Sequence, residues 1–120
     1  MSINVELRDL RAVAEEQAPF AYLLTVSDDL RAHAVAVTPG IGDHEITCAG
    51  GNRTCANAQA RPAVSLLWPP ARPGGYSLIV DGRAVVDGAT VQIHPERAVR
   101  HRPAPGGGSD CAPVVLEFEE

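Results

Sequence analysis

The Gly50–Asn57 segment has the residue types of a phosphate-binding corner. Its two glycines offer backbone amides that no side chain shields, and the sequence predicts a helix beginning directly after them, near Asn52 or Thr54. The positive end of a helix attracts anions, and the planar guanidinium of Arg53 can hold a phosphate through two parallel hydrogen bonds. The alternative is an ordinary helix start with a solvated surface arginine.

His33 is the candidate acid–base residue, because histidine is the side chain that most often carries protons near neutral pH. It lies on a predicted strand, on the face opposite to Ala32 and Ala34. A lone histidine on a strand is more often structural, so we assign no catalytic residue. Trp68 and Tyr76 flank a loop rich in proline and glycine, where they could stack on a cofactor or pack against a dimer partner.

Other chemistries are excluded by what the chain lacks. All ten of its basic residues are arginines, so no lysine is present to form a Schiff base with pyridoxal phosphate. Cys48, Cys55 and Cys111 form no Cys-x-x-Cys pair, and the histidines stand at no metal-ligand spacing from them or from one another. We therefore expect neither a metal site nor a disulfide framework.

Length and composition indicate a single globular domain over residues 1–120. A chain of this length builds one modest core, and 45% of its residues are apolar and 21% charged. We expect the core to span residues 5–95. Residues 96–120 are expected to form an irregular tail, because periodicity is lost after a proline, with an edge strand over 113–119.

Charge and hydropathy argue against two classes of partner. The net charge is −5 and the arginines are scattered, which is not the electrostatic pattern of a nucleic-acid-binding protein. No apolar run approaches the ~20 residues needed to cross a bilayer, and the amino terminus has no signal-peptide pattern. We expect a cytoplasmic protein that contacts neither nucleic acid nor membrane.

An amphipathic helix is predicted over residues 4–17, because Ile3, Leu7, Leu10 and Ala14 recur at helical spacing. Six strands follow, with a short helix between the third and the fourth that ends before a proline. Together they predict a small, mostly antiparallel barrel. The predicted strands cover residues 21–26, 31–38, 44–49, 63–68, 76–86 and 89–93.

Two glycines shape the last pair of predicted strands. Asp81-Gly82 interrupts the long fifth strand and predicts a bulge, since glycine within a strand marks a bend or a close approach of backbone. Asp87-Gly88 is a two-residue sequence typical of a tight hairpin turn, which would join the fifth strand directly to the sixth.

Three segments are similar, in order and spacing, to one known superfamily. The first is the strand pair over 23–26 and 31–37, the second is Asn52-Arg-Thr-x-x-Asn57 with the strand that follows, and the third is Val80-Asp-Gly-Arg-Ala-Val-Val86. Over roughly residues 5–95 they resemble the pyridoxamine 5′-phosphate oxidase-like proteins, the flavin-binding split-barrel superfamily.

The resemblance implies a mostly β fold, a six-stranded antiparallel split β-barrel that works as a homodimer with FMN at the subunit interface. In some branches a deazaflavin coenzyme or haem takes the place of FMN. It also implies that Val35, Ala36 and Val37 lie against the isoalloxazine ring and that Cys48 and Ala49 flank it. The residues implied to surround the phosphate are Asn52, Arg53, Thr54 and Asn57.

Two departures narrow the expected activity. Many members carry a lysine where this chain has Thr54, so one positive charge is missing from the implied phosphate site. The pyridoxamine phosphate oxidases proper are longer, and Asp87-Gly88 leaves no room for a helix between the last two strands, so that named activity is not expected. We expect an FMN-dependent oxidoreductase acting on an unidentified small molecule. The alternatives are a deazaflavin-dependent reductase and a non-enzymatic module that binds a flavin, haem or no cofactor.

Overall fold

The computed structural model of the protein describes residues 1–104, and eight strands and two α-helices make up most of that part. A 3₁₀ turn at Leu7–Asp9 precedes the first helix. The strands are β1 (Ser2–Val5), β2 (Ala21–Val26), β3 (Ala32–Val37), β4 (Gly40–Ile41), β5 (Ile46–Ala49), β6 (Ala63–Trp68), β7 (Ser77–Asp87) and β8 (Thr90–His101), and the helices are α1 (Leu10–Glu15) and α2 (Asn52–Ala60).

All strands belong to one antiparallel sheet with the order β3-β2-β6-β7-β8-β5-β4, and β1 pairs with the far half of β8. The sheet curls, because its two end strands, β3 and β4, are joined by only Thr38 and Pro39. Among the described residues β3 and β5 do not pair, so the barrel stays open along a seam between them. The expected split-barrel class is thereby confirmed.

The core lies inside the curl and follows the period of two residues along each strand. In β2 the inward residues are buried and the outward ones are not, and β6 and β7 repeat the pattern. α2 packs across β2, β7 and β8 and buries Ala58 completely. The largest fully buried side chains are Leu23, Ile46, Leu66, Leu78, Ile93, Val80, Val91 and Thr25.

The amino-terminal prediction was wrong in extent. Residues 2–5 form β1, with Ile3 opposite Arg100 and Val5 opposite Ala98, and the helix covers only Leu10–Glu15. The apolar residues do recur at helical spacing. However, the β-branched residues Ile3 and Val5 lie beside the edge of β8, and they pair with that strand instead of forming a helix. This pairing joins residues almost a hundred positions apart, which no local pattern records.

The prediction that regular structure ends at Pro95 was also wrong. β8 continues to His101, because Pro95 lies opposite Gly82 at a bulge, where a missing N–H costs no ladder hydrogen bond. The bulge itself is confirmed between Asp81 and Gly82. A Cβ on Gly82 would lie 2.6 Å from the His94 carbonyl oxygen, so only glycine fits.

The remaining boundaries differ slightly from the expected ones. The third predicted strand begins at Ile46, and the short β4 precedes it. With β1 this gives eight strands among residues 1–104, where six were expected in the whole chain. The hairpin between β7 and β8 is present, but its loop is Gly88-Ala89, with Gly88 at φ +61°, one residue later than predicted. The predicted edge strand over 113–119 lies outside the described residues.

Candidate functional site

The loop before α2 is held tightly against the start of β8. The Gly50 N–H donates to the Ala89 carbonyl oxygen at 2.8 Å. A Cβ at Gly50 would lie 3.0 Å from both Cys55 Sγ and Val91 Cγ2, which is closer than side chains normally approach. Packing therefore favours glycine at position 50, whatever the loop binds.

Gly51 differs, because nothing lies within 4 Å of the position that its Cβ would occupy. It is the N-cap of α2, and no side chain caps the helix there. The Cys55 N–H is the first to bond back into the helix, to the Gly51 carbonyl oxygen at 2.9 Å. The amides of the three residues before it are those that a helix start leaves without an intrahelical acceptor. The surface above Gly51 thus gives open access to uncapped amides.

Arg53 stands exposed in the first turn of α2 and forms none of the ion pairs found among the described residues. Its charge acts toward the β2–β3 turn. There the pKa of the exposed Asp29 carboxyl is lowered, chiefly by the Ser27 hydroxyl, with Arg53 as a weaker contributor. An exposed arginine in the first turn of a helix with uncapped amides adds positive potential that suits an anion.

Thr54 and Asn57 face the opposite way, into the core, with 3% and 6% of their surface exposed. The Asn57 Nδ2 donates to the Thr25 Oγ1 at 3.1 Å, and both groups are buried. This bond fixes α2 on β2. Within one protomer, of the four residues implied to surround a phosphate, only Asn52 and Arg53 present their side chains to solvent.

The β3 residues implied to meet a flavin ring do not share one face. Val35 and Val37 are half-buried on the core side, opposite Leu23 and Ala21, whereas Ala36 is exposed on the outer side opposite Tyr22. What all three share is the outer edge of β3, which has no partner strand in the part of the chain that the structure describes. A flat ligand could reach the three residues together only along that edge.

Cys48 and Ala49 end β5 on the other side of the seam. Cys48 is buried, and this burial raises the pKa of its thiol, with the neighbouring Cys55 adding to the shift. Ala49 is exposed and leads into the loop before α2. The structure thus places β3 on one side of the seam, and Cys48, Ala49 and the start of α2 on the other.

Sequence comparison finds close relatives in mycobacteria. The chain is 43% identical, over 118 residues, to the uncharacterized proteins Mb0449c of Mycobacterium bovis and MT0457 of Mycobacterium tuberculosis. Each alignment covers 84% of this chain and 82% of the relative, so the chain belongs to their family. No family model matches the sequence.

Structural comparison identifies the fold. A candidate pyridoxamine 5′-phosphate oxidase from Listeria innocua superposes with a TM-score of 0.63 at 19% identity, covering 78% of this chain and 96% of the other. An F420 reductase superposes with a TM-score of 0.61 at 14% identity, covering 78% and 97%. The chain has the split-barrel fold of these proteins. An FAD-binding protein of Mycobacterium smegmatis shares the fold of this split barrel at a TM-score of 0.57 and 13% identity, covering 85% and 100%.

The other sequence candidates lie elsewhere in the split barrel. His33 is half-buried opposite Thr25, and its Nδ1 has no hydrogen-bond partner among the described residues. Trp68 is buried in the core, where it lines a cavity of about 290 Å³ together with Ala14 and Pro39. Among residues 1–104 no group of three metal-ligating side chains comes together, and no helix there is long and apolar enough to cross a membrane.

Sequence reasoning missed two features of the split barrel. A groove of about 690 Å³ runs between α1 and the β4–β5 turn, where Arg11 bonds to the Ile41 carbonyl oxygen and pairs with Asp43. None of the predicted site residues lines it. The second feature is the stacking of Arg100 and Arg102 on Tyr76, which only the β7–β8 register could have shown.

Proposed function

We propose that this split barrel is a flavin-dependent oxidoreductase that holds the phosphate of FMN at the start of α2. The observation that carries the proposal is the open helix start, where uncapped amides and an unobstructed Gly51 coincide with Arg53, which joins no ion pair within residues 1–104. The three named structural neighbours are described as an oxidase candidate, a reductase and an FAD-binding protein, which supports a flavin-type ligand. The amides and Arg53 supply donors where many relatives use a lysine in place of Thr54.

The isoalloxazine ring would lie along the outer edge of β3, where free backbone groups can bond to its polar rim. Ala36 leaves room beside this edge because its side chain is small and points outward. Cys48 and Ala49 would flank the ring from across the seam. When bound, the flavin supplies hydride or electron transfer, and the chain's own residues hold it, orient it and limit access of water.

A homodimer with the cofactor at its interface is the assembly that we propose. One cross-strand row of residues runs over the outer sheet face, and its centre is apolar. Small domains gain burial by dimerising, and this outer row ends at β3, beside the proposed ring position. The outer row consists of Ala36, Tyr22, Leu67, Ile79, Val99 and Asn4.

The absorption spectrum of the purified protein and its titration with FMN test the proposal. We expect flavin bands that bleach on reduction, either as purified or after addition of FMN. Arg53→Ala should weaken FMN binding by roughly ten- to a hundredfold, since a charged phosphate contact contributes about 1.5–3 kcal/mol. Arg72→Ala, an exposed arginine in the Pro-rich loop, is the matched control and should bind as the wild type does.

The F420 reductase among the neighbours favours one second candidate, a deazaflavin-dependent reductase. Titration of the same protein with F420 distinguishes the two, because FMN and F420 differ in their absorption and fluorescence. Binding of F420 but not FMN would replace the first function by the second. A Soret band would indicate a haem-binding module, and a protein that takes up none of these ligands would refute both enzymatic functions.

A further inference from the structure

Tyr76 is stacked against two arginines at the end of the β7–β8 ladder. The Arg102 Cζ lies 4.5 Å and the Arg100 Cζ 5.5 Å from the centroid of its ring. Leu78 pairs with Arg100 in the register, so the next residues on the same face are Tyr76 and Arg102. Two guanidiniums are thus brought to one ring by the two-residue period of β8.

The two arginines form no ion pair within the part of the chain that the structure describes. The four ion pairs found there use Arg11, Arg31, Arg61 and Arg97. The Nε atoms of Arg100 and Arg102 are buried without a hydrogen-bond partner in those residues. Burial of such a donor is unfavourable unless an acceptor is supplied, and two like charges beside each other add to the cost.

Stacking on Tyr76 prepares both arginines to bind an acceptor. A guanidinium lying over an aromatic face keeps its N–H donors in its own plane, where they remain available. The ring also restricts the two long side chains, so that less conformational entropy is lost on binding. The arrangement is a preformed pair of cationic forks in a chain whose net charge is −5.

This cluster is far from the proposed flavin phosphate position within one protomer. The loop before α2 contacts β8 at Val91, and Arg100 lies nine residues further along the strand. At about 3.3 Å per residue this is roughly 30 Å, less a small amount for the bulge. Within one protomer a single phosphate cannot contact both places, so the inference concerns a different set of residues from the proposed flavin site.

We propose that Tyr76, Arg100 and Arg102 form an anion-binding clamp for a phosphate-bearing small molecule. Phosphate monoesters carry a charge of about −1.5 to −2 near neutral pH, which matches two guanidiniums better than a single carboxylate does. Each arginine offers parallel donors to two phosphate oxygens. The clamp recognises the phosphoryl group, and the rest of the ligand lies outside it.

Inorganic phosphate is the probe. In a ¹H–¹⁵N spectrum of the arginine side chains, millimolar phosphate should shift the Nε–Hε signals of Arg100 and Arg102 and leave that of Arg97 in place. Chloride at equal ionic strength should shift none of these signals.

Arg100→Gln and Arg102→Gln should each weaken phosphate binding at least roughly tenfold, because a charged hydrogen-bond donor is lost. Arg97→Gln is the matched control on the same strand. An unfolding curve for each variant confirms that it is folded.

Two further variants separate the clamp from its alternatives. Arg53→Ala should retain the phosphate response of the clamp even if it loses flavin binding. The alternative occupant is the chain's own acidic carboxyl-terminal segment, tested by the combined change Asp110→Asn, Glu117→Gln, Glu119→Gln and Glu120→Gln. If phosphate shifts the two signals only in that variant, the carboxylates are the natural partners of the two arginines in the wild type, and the proposal is overturned. It is overturned equally if phosphate shifts neither signal in any variant.

Discussion

At the scale of single residues, the α2 start separates side chains that hold the fold from those that are free to bind. Gly50, Thr54 and Asn57 are enclosed by protein, while Gly51 and Arg53 face solvent. The distinction matters because a sequence motif treats all of them alike. In this split barrel, one part of the motif packs against the core and holds the fold. The other part faces solvent and carries hydrogen-bond donors that are free to bind a ligand.

Asn57→Ala should destabilise the protein by about 1–3 kcal/mol, because it leaves the buried Thr25 hydroxyl without its partner at 3.1 Å. Asn52→Ala, five positions earlier and exposed, should change stability by less than about 0.5 kcal/mol. Urea unfolding of the two variants beside the wild type measures both values. Equal losses in the two variants would show that the bond to Thr25 is not what anchors α2.

The residue types of the site could be read from the sequence, but their directions could not. The segment Asn52–Asn57 was expected to be a helix start, and it is one. Which of its faces turns inward depends on the strands beneath it, and these are assembled from distant parts of the chain. The alternation in β3 likewise places Ala36 on a different face from Val35 and Val37, which a continuous apolar run does not indicate.

At the scale of elements, local signals predicted those parts whose partners are near in sequence. β2 and β6 have the predicted bounds, and the bulge at Gly82 lies where expected. Both predictions rest on local features, namely the alternation of apolar residues and a glycine within a strand. β1 and the second half of β8 were missed together, since β1 is a strand only through its pairing with β8, and the second half of β8 is held between β1 and the first half of β7. Long-range pairing overrode the helical spacing at the amino terminus.

Gly82→Ala should be among the most damaging glycine substitutions in this chain. The new Cβ would meet the backbone carbonyl oxygen of His94 at 2.6 Å, and backbone in the middle of a ladder cannot move aside cheaply. We expect a loss of about 1–3 kcal/mol or more in unfolding free energy. Gly40→Ala is the control, because its Cβ would make an ordinary 3.6 Å contact with the Thr47 hydroxyl and its strand is short. Chemical denaturation compares the two, and a tolerated Gly82→Ala would contradict the close approach.

At the scale of the whole molecule, the curled sheet has an inner face that is filled and an outer face that is not. The inner face holds the core. The outer row crosses six strands, and Tyr22, next to its β3 end, is 39% exposed and packs edge-on against Phe20. Beside this row Ser65 and Arg97 both bind Asp81, so a polar border adjoins the apolar centre. An apolar centre with a polar border is the usual composition of a protein interface.

Leu67→Glu should convert the proposed homodimer into a monomer, because a carboxylate at the centre of the outer row would be buried against its symmetry mate. Light scattering coupled to size-exclusion chromatography measures the mass directly. Leu30→Glu, at a turn residue that is 76% exposed and lies off the outer row, should leave the assembly unchanged.

If FMN lies between the subunits, Leu67→Glu should also weaken FMN binding although its side chain is remote from α2. A wild-type protein that elutes as a monomer, or a Leu67→Glu variant that remains a dimer, would show that subunits do not meet through this face.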